Sequence, residues 1–129
     1  MLDATALLSH ARGHVHVGEL LVEIAEEGAY TALPTTVLTR GYAQVHPERV
    51  GLARLGLLPT VPGVHVLGLD VAQAPRVARY LGLLGGDLAR AHAVWAALNH
   101  DAYLLTSEPD AVAAIVPADQ IHYIPTGDS

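Results

Sequence analysis

The amino-acid sequence predicts one α/β domain whose parallel sheet is covered by helices on both faces. Three observations carry this: chain length with apolar content, short β-type runs alternating with amphipathic stretches, and the lack of an internal repeat. The 129 residues, 51% of them hydrophobic, suffice for one domain with a real core and leave no room for a second. Strands separated by one or two helices need crossover connections, which are right-handed and make neighbouring strands parallel. No period of about 20–50 residues recurs and no low-complexity tract appears, which excludes solenoid, linker and disordered-tail readings.

Element by element, only Met1 and Leu2 precede Asp3, so the first strand is short. Val17, Leu20, Leu21 and Ile24 recur at helical spacing with Glu19, Glu23, Glu26 and Glu27 between them, and Gly28 follows as a stop. Ala29 to Leu33 reads as a strand, and Pro34 can occupy the first turn of a helix reaching about Gln44. Pro47 to Leu57 reads as a further helix, weakened by Gly51 and Gly56, before a loop at Leu58 to Gly63. Val64 to Leu69 is the next strand. Asp70 and Gln73 have capping-box spacing ahead of the stripe Ala74, Val77, Ala78 and Leu81, with Pro75 able to shift the helix start. Gly85-Gly86 ends that helix. Asp87 to about Asn99 is helical with Ala91, Val94, Trp95 and Leu98 on one face, and Ala102 to Thr106 is a strand. Asp110 to Val116 reads as helical and Ile121 to Ile124 as the last strand.

Composition narrows the chemistry. There is no cysteine, so a disulfide framework and a thiolate zinc site are excluded. The first residues lack a signal-peptide pattern and no apolar run approaches the ~18 residues of a membrane span, so the expectation is a soluble cytoplasmic protein with no membrane association. The formal charge is −6, with seven arginines and no lysine, so phosphate-backbone binding would need a local basic strip and lysine-dependent chemistry is excluded.

In open parallel sheets ligands bind beyond the carboxyl ends of the strands. Asp3 lies at the end of the first strand and Thr106-Ser107-Glu108-Pro109-Asp110 at the end of the fourth, with Asp87 offered by a helix start. Converging carboxylates of this kind suit Mg²⁺ or Mn²⁺, which activate water and stabilise in-line phosphoryl displacement. The competing account is structural, with Asp3 ending a strand and Asp87 and Asp110 capping helices.

The segments Leu2-Asp3-Ala4-Thr5-Ala6-Leu7-Leu8, Leu33-Pro34, Asp87-Leu88-Ala89-Arg90-Ala91-His92-Ala93-Val94 and Leu104-Leu105-Thr106-Ser107-Glu108-Pro109-Asp110 together resemble the landmarks of PIN-domain proteins, including VapC-type toxins. The resemblance runs in order over essentially the whole chain. It implies a three-layer α/β/α sandwich on a parallel sheet of four to five strands. It also implies a metal-dependent endoribonuclease acting on single-stranded RNA with Mg²⁺ or Mn²⁺, a small antitoxin partner and a homodimer. Carried over by position, Asp3 is the first family acid and Glu108 the fourth, with Asp110 just beyond. The second and third fall on Arg40 and Arg90, while Asp87 begins the third motif. Asp3, Arg40, Arg90 and Glu108 have no net charge, and inward-pointing arginines would pair with the carboxylates in place of a metal. Outward-pointing arginines would instead leave Asp3, Asp87, Glu108 and Asp110 as catalytic metal ligands and present Arg40 and Arg90 to RNA phosphates. Two functions therefore stand: a ribonuclease, or an inactive PIN-like domain that binds RNA or a protein partner.

The remaining polar residues read as structural. His14 and His16, with His10 and Glu19 nearby, have spacing open to Zn²⁺ but fit a solvated turn between helices better. His92 falls on a helix rim, Trp95 in the core, and Arg76 and Arg79 on a solvated helix face. Gly82 and Gly85-Gly86 close a helix, so they form no phosphate-cradling loop.

Overall fold

The computed structural model describes residues 1–126. In chain order the elements are α1 (Ala4–Ala11), α2 (Val15–Glu26), β1 (Thr31–Pro34), α3 (Thr35–Val45), α4 (Arg49–Leu57), β2 (Val64–Leu67), α5 (Ala74–Leu81), α6 (Leu88–Asn99), β3 (Leu104–Thr106) and β4 (Ile121–Tyr123). The alternation of helix and strand is the expected one, and the strand pairing is parallel. β1 lies beside β2 with Thr31 opposite Val64, and β3 beside β4 with Leu104 opposite Ile121.

The expected sheet of four to five regular strands takes the form of two two-stranded sheets. Met1 to Asp3 runs between them. Leu2 N–H donates to Ala32 O at 3.0 Å, Leu105 N–H donates to Met1 O at 2.8 Å, and Asp3 N–H donates to Leu105 O at 3.1 Å. The pairing is a single bridge, Leu2 with Leu105, because α1 begins at Ala4 and converts the chain to helix one residue after Asp3.

Strand edges moved for local reasons. Gly28, at φ 76°, and the Ala29 N–H bond to Ile24 O use residues 28–29 to close α2, so β1 starts at Thr31. β2 stops at Leu67, and the expected capping pair is present beyond it: Gln73 N–H donates to Asp70 Oδ1 at 3.0 Å and Asp70 N–H to Gln73 Oε1 at 3.1 Å. Residues 110–116 correct the expectation of a helix. They form a short 3₁₀ turn at Pro109–Ala111 followed by turns, since Pro109 fixes its start and Pro117 disfavours continuation through Val116.

Leu2, Leu7, Leu33, Val37, Leu55, Leu58, Val94, Leu104 and Ile124 are fully buried. Each is worth roughly 1.5–3 kcal/mol of apolar transfer. Gly41 lets α3 approach α1 and α4, because a Cβ there would lie 2.5 Å from Leu7 Cδ2. α6 is the central helix: every residue from Ala91 to Ala97 is buried, rather than the single stripe expected, and it touches α3, α5, β1 and β3. Its run of alanines is what allows packing on all sides. No helix among the described residues is long and apolar enough to cross a membrane.

Candidate functional site

Asp3 is the structural hub of the carboxyl edge. It is the N-cap of α1 in extended conformation, and its Oδ1 accepts from Ala6 N–H at 3.0 Å and from the Thr5 hydroxyl at 2.6 Å. Only 2% of the residue is exposed, and its Oδ2 has no hydrogen-bond partner among the described residues. Burial raises the Asp3 pKa above the ordinary carboxylate value, opposed by hydrogen bonds from Thr106, Thr5 and Ala6 and by the Arg90 charge. The Thr5 hydroxyl lies 3.2 Å from Thr106 Oγ1 and accepts from Ser107 N–H at 2.7 Å, while Thr106 Oγ1 accepts from Glu108 N–H at 3.0 Å. These hydroxyls join the start of α1 to the end of β3, so the Thr106-Ser107 step is held against Asp3.

Asp87 is likewise an N-cap, that of α6. Its Oδ1 accepts from Arg90 N–H at 3.0 Å and from Arg40 Nη1 at 2.8 Å. Arg40, half-buried, comes from the flank of α3 one turn after the packed Val37. Arg90 sits on the first turn of α6 and reaches Glu108, with Nη2 at 3.5 Å from Oε1. Both arginines thus meet predicted metal ligands: Arg40 takes Asp87, Arg90 takes Glu108, and neither makes an ion pair with Asp3. Asp110 is exposed on the Pro109–Ala111 turn and makes no side-chain hydrogen bond or ion pair among the described residues. An open cavity of about 390 Å³ beside this corner is walled by Thr5, Ser9, Arg12, Ser107 and Glu108, whereas Asp3 and Asp87 do not line it. Among the described residues no three His, Asp or Glu side chains assemble as a metal-holding group.

His92 corrects its expected place on a helix rim. It is fully buried, with Nδ1 2.7 Å from Thr36 Oγ1, because α6 is covered on the α3 side as well as on the strand side. Desolvation lowers its pKa below the ordinary imidazole value. The Thr36 hydroxyl satisfies both groups when it donates to Nδ1, which leaves the proton on Nε2, an atom with no partner among the described residues. His14 stands at the N-cap position of α2 without a capping bond, and His16 is the second residue of that helix, so the extended spacing open to Zn²⁺ does not occur.

Thr5, Thr36 and Thr106 were not distinguishable from ordinary helix and strand threonines by pattern; only the approach of chain-distant segments brings out their roles. Arg76, Arg79, Tyr80 and Trp95 are a further group drawn together by tertiary packing, around a cavity of about 390 Å³ between α5 and α6. No protein-family model matches the chain, and comparison with the curated proteins and with the solved structures gave no match.

Proposed function

We propose that this chain is a PIN-like domain that acts by binding a protein partner and does not hydrolyse RNA. The observation that carries the reading is the pairing of Arg40 with Asp87 at 2.8 Å and of Arg90 with Glu108 at 3.5 Å. In the resembling family the positions of Asp3, Arg40, Arg90 and Glu108 supply carboxylates to a hard cation. Here two of the four acids are guanidinium groups that occupy the neighbouring carboxylates, and the third, Asp3, caps a helix in a buried place. This donor set does not fit Mg²⁺ or Mn²⁺, which need several free oxygen ligands and net negative charge. The hydrogen bonds on both sides of Leu2 support reading the two sheets as one five-stranded layer in the order β2, β1, Met1–Asp3, β3, β4, the middle of an α/β/α sandwich.

A protein partner is favoured over RNA by the surface. Tyr30 and Tyr103, at the amino ends of β1 and β3, are 68% and 64% exposed beside a cavity of about 360 Å³ walled by Leu20, Ile24, Leu105 and His122. Glu27, the C-cap of α2, lines it, Glu23 and Glu26 stand on the same helix, and the chain carries a formal charge of −6. Aromatic anchors with an acidic rim suit a small basic protein of the antitoxin kind better than a phosphate backbone. Labelled single-stranded RNA incubated with the purified chain and millimolar Mn²⁺ stays intact on this reading. Cleavage that disappears in Asp3→Ala would restore the ribonuclease reading.

A further inference from the structure

Trp95, the one tryptophan of the chain, stands between two cavities of different chemistry. On one side Arg76, Arg79 and Tyr80 enclose about 390 Å³ with it. On the other, Gly68, Asp70, Gln73, His92 and His100 enclose about 300 Å³ with it. α5 buries Val77 and turns Arg76 and Arg79 outward, and neither guanidinium has an ion pair or hydrogen bond among the described residues. They differ in this from Arg40 and Arg90, whose charges are spent within the fold. The second cavity, which includes the Asp70 carboxylate, offers complementary polar groups: among the described residues Gln73 uses Oε1 to accept from Asp70 N–H and its amide N–H₂ has no partner, while Asp70 uses Oδ1 and its second oxygen has none.

We propose that this groove over α5 and α6 binds a nucleotide, with its phosphate on Arg76 and Arg79 and its base in the cavity of Trp95, Gln73 and Asp70. Paired guanidinium groups are suited to a phosphate. A free amide donor next to a free carboxylate acceptor matches the adjoining acceptor and donor on the edge of a nucleobase, and an aromatic wall suits its flat ring. The two cavities share Trp95 as a wall, so an occupant of both would place its anion on the arginine side of that residue and its ring on the other. The inference uses neither the acidic corner nor the family resemblance, and it stands or falls separately from the reading above. The same chemistry is offered by a free mononucleotide and by one unit of a single strand.

The test is calorimetric titration of the whole chain with UMP, AMP, uridine, adenosine, inorganic phosphate and hexauridylate, with Trp95 fluorescence followed in parallel at red-edge excitation. The expected result is binding of at least one monophosphate with a change in Trp95 emission, about tenfold or more tighter than its nucleoside. Arg76→Ala/Arg79→Ala should bring the monophosphate to the level of the nucleoside with an unchanged melting temperature, and Gln73→Ala should weaken nucleoside and nucleotide alike. Hexauridylate binding well above UMP assigns the site to single strands, and equal binding assigns it to the free nucleotide. Inorganic phosphate binding as tightly as the monophosphates, no response to any probe at millimolar concentration, or indifference to the double arginine variant would each overturn the proposal.

Discussion

The corner around Asp3 and the groove around Trp95 hold comparable sets of charged side chains and use them in opposite ways. In the corner, Asp3 and Asp87 are the N-caps of α1 and α6, and Arg40 and Arg90 are drawn into ion pairs with Asp87 and Glu108. In the groove, Arg76 and Arg79 project from a helix whose buried contact is Val77, and no carboxylate among the described residues pairs with them. The difference follows from where the residues sit: helix N-termini need acceptors for their open N–H groups, so acids there serve the fold first. Charges on the outer side of a helix carry no such obligation. A charged residue at a strand end is therefore weaker evidence of chemistry in this chain than an unpaired one on an exposed helix.

The largest expected effect concerns the ring that the groove shares with the core. Trp95 is 9% exposed, and Trp95→Ala should cost about 3–5 kcal/mol in denaturant unfolding. A cost below about 1 kcal/mol would mean that Trp95 belongs to the surface, and the contrast with the corner would lose its core component.

Asp3→Ala comes next, at about 1–2 kcal/mol, because it removes the acceptor for Ala6 N–H and the Thr5 hydroxyl. Asp3→Asn keeps an acceptor and removes the buried charge, which gives a pH signature. Burial raises the folded pKa of Asp3 above its ordinary 3.8, so its favourable contribution is full below that value and is lost as pH rises through the folded value. The Asn variant should gain on the wild type as pH rises, and a gap between the two that is constant with pH would show Asp3 to be unshifted. His92 and His10 act with the opposite sign. Their folded pKa values lie below 6.5 through burial, so the wild type loses stability as pH falls from 6.5, and the loss should shrink in His92→Gln.

Smaller still are the ion pairs. Arg40→Ala and Arg90→Ala should each cost about 0.5–1 kcal/mol, since Arg40 is 40% and Glu108 58% exposed in the side chain and solvent screens both pairs. Arg76→Ala should change stability by less than about 0.5 kcal/mol. Equal costs at Arg40 and Arg76 in chemical denaturation would erase the distinction between paired and unpaired guanidinium groups.

Much of the fold was legible because local signals agreed with packing. The Val17-Leu21 stripe, the Pro34 step into α3, the Asp70-Gln73 capping pair and the glycines at 85 and 86 each act within a few residues. The failures came where distant chain decides. Residues 110–116 carry an apolar spacing compatible with a helix, but Val112 and Val116 reach the core through turns between two prolines. The stripe on α6 predicted one buried face, and neighbours from α3, α5, β1 and β3 bury the others, His92 included. At the site, the substitution of Arg40 and Arg90 for acids was visible in sequence. The carboxylates expected to meet them were Asp3 and Glu108; Arg90 meets Glu108, but the placement of α3 against α6 gives Arg40 to Asp87, and Asp3 has no arginine partner among the described residues. Nothing local could have joined Arg76 and Arg79 to Trp95, since their meeting depends on how α5 packs on α6.

The most direct measurement is thermal unfolding with and without Mn²⁺ for the wild type and for Arg40→Glu/Arg90→Asp, which restores carboxylates at the two arginine positions. A bound cation at ten times its Kd adds about 1.4 kcal/mol, a few degrees in Tm. The wild type should show no shift in millimolar Mn²⁺, and the double variant should show one that is lost when Asp3→Ala is added. A wild-type shift abolished by Asp3→Ala would contradict the replacement of a metal by arginine at this corner.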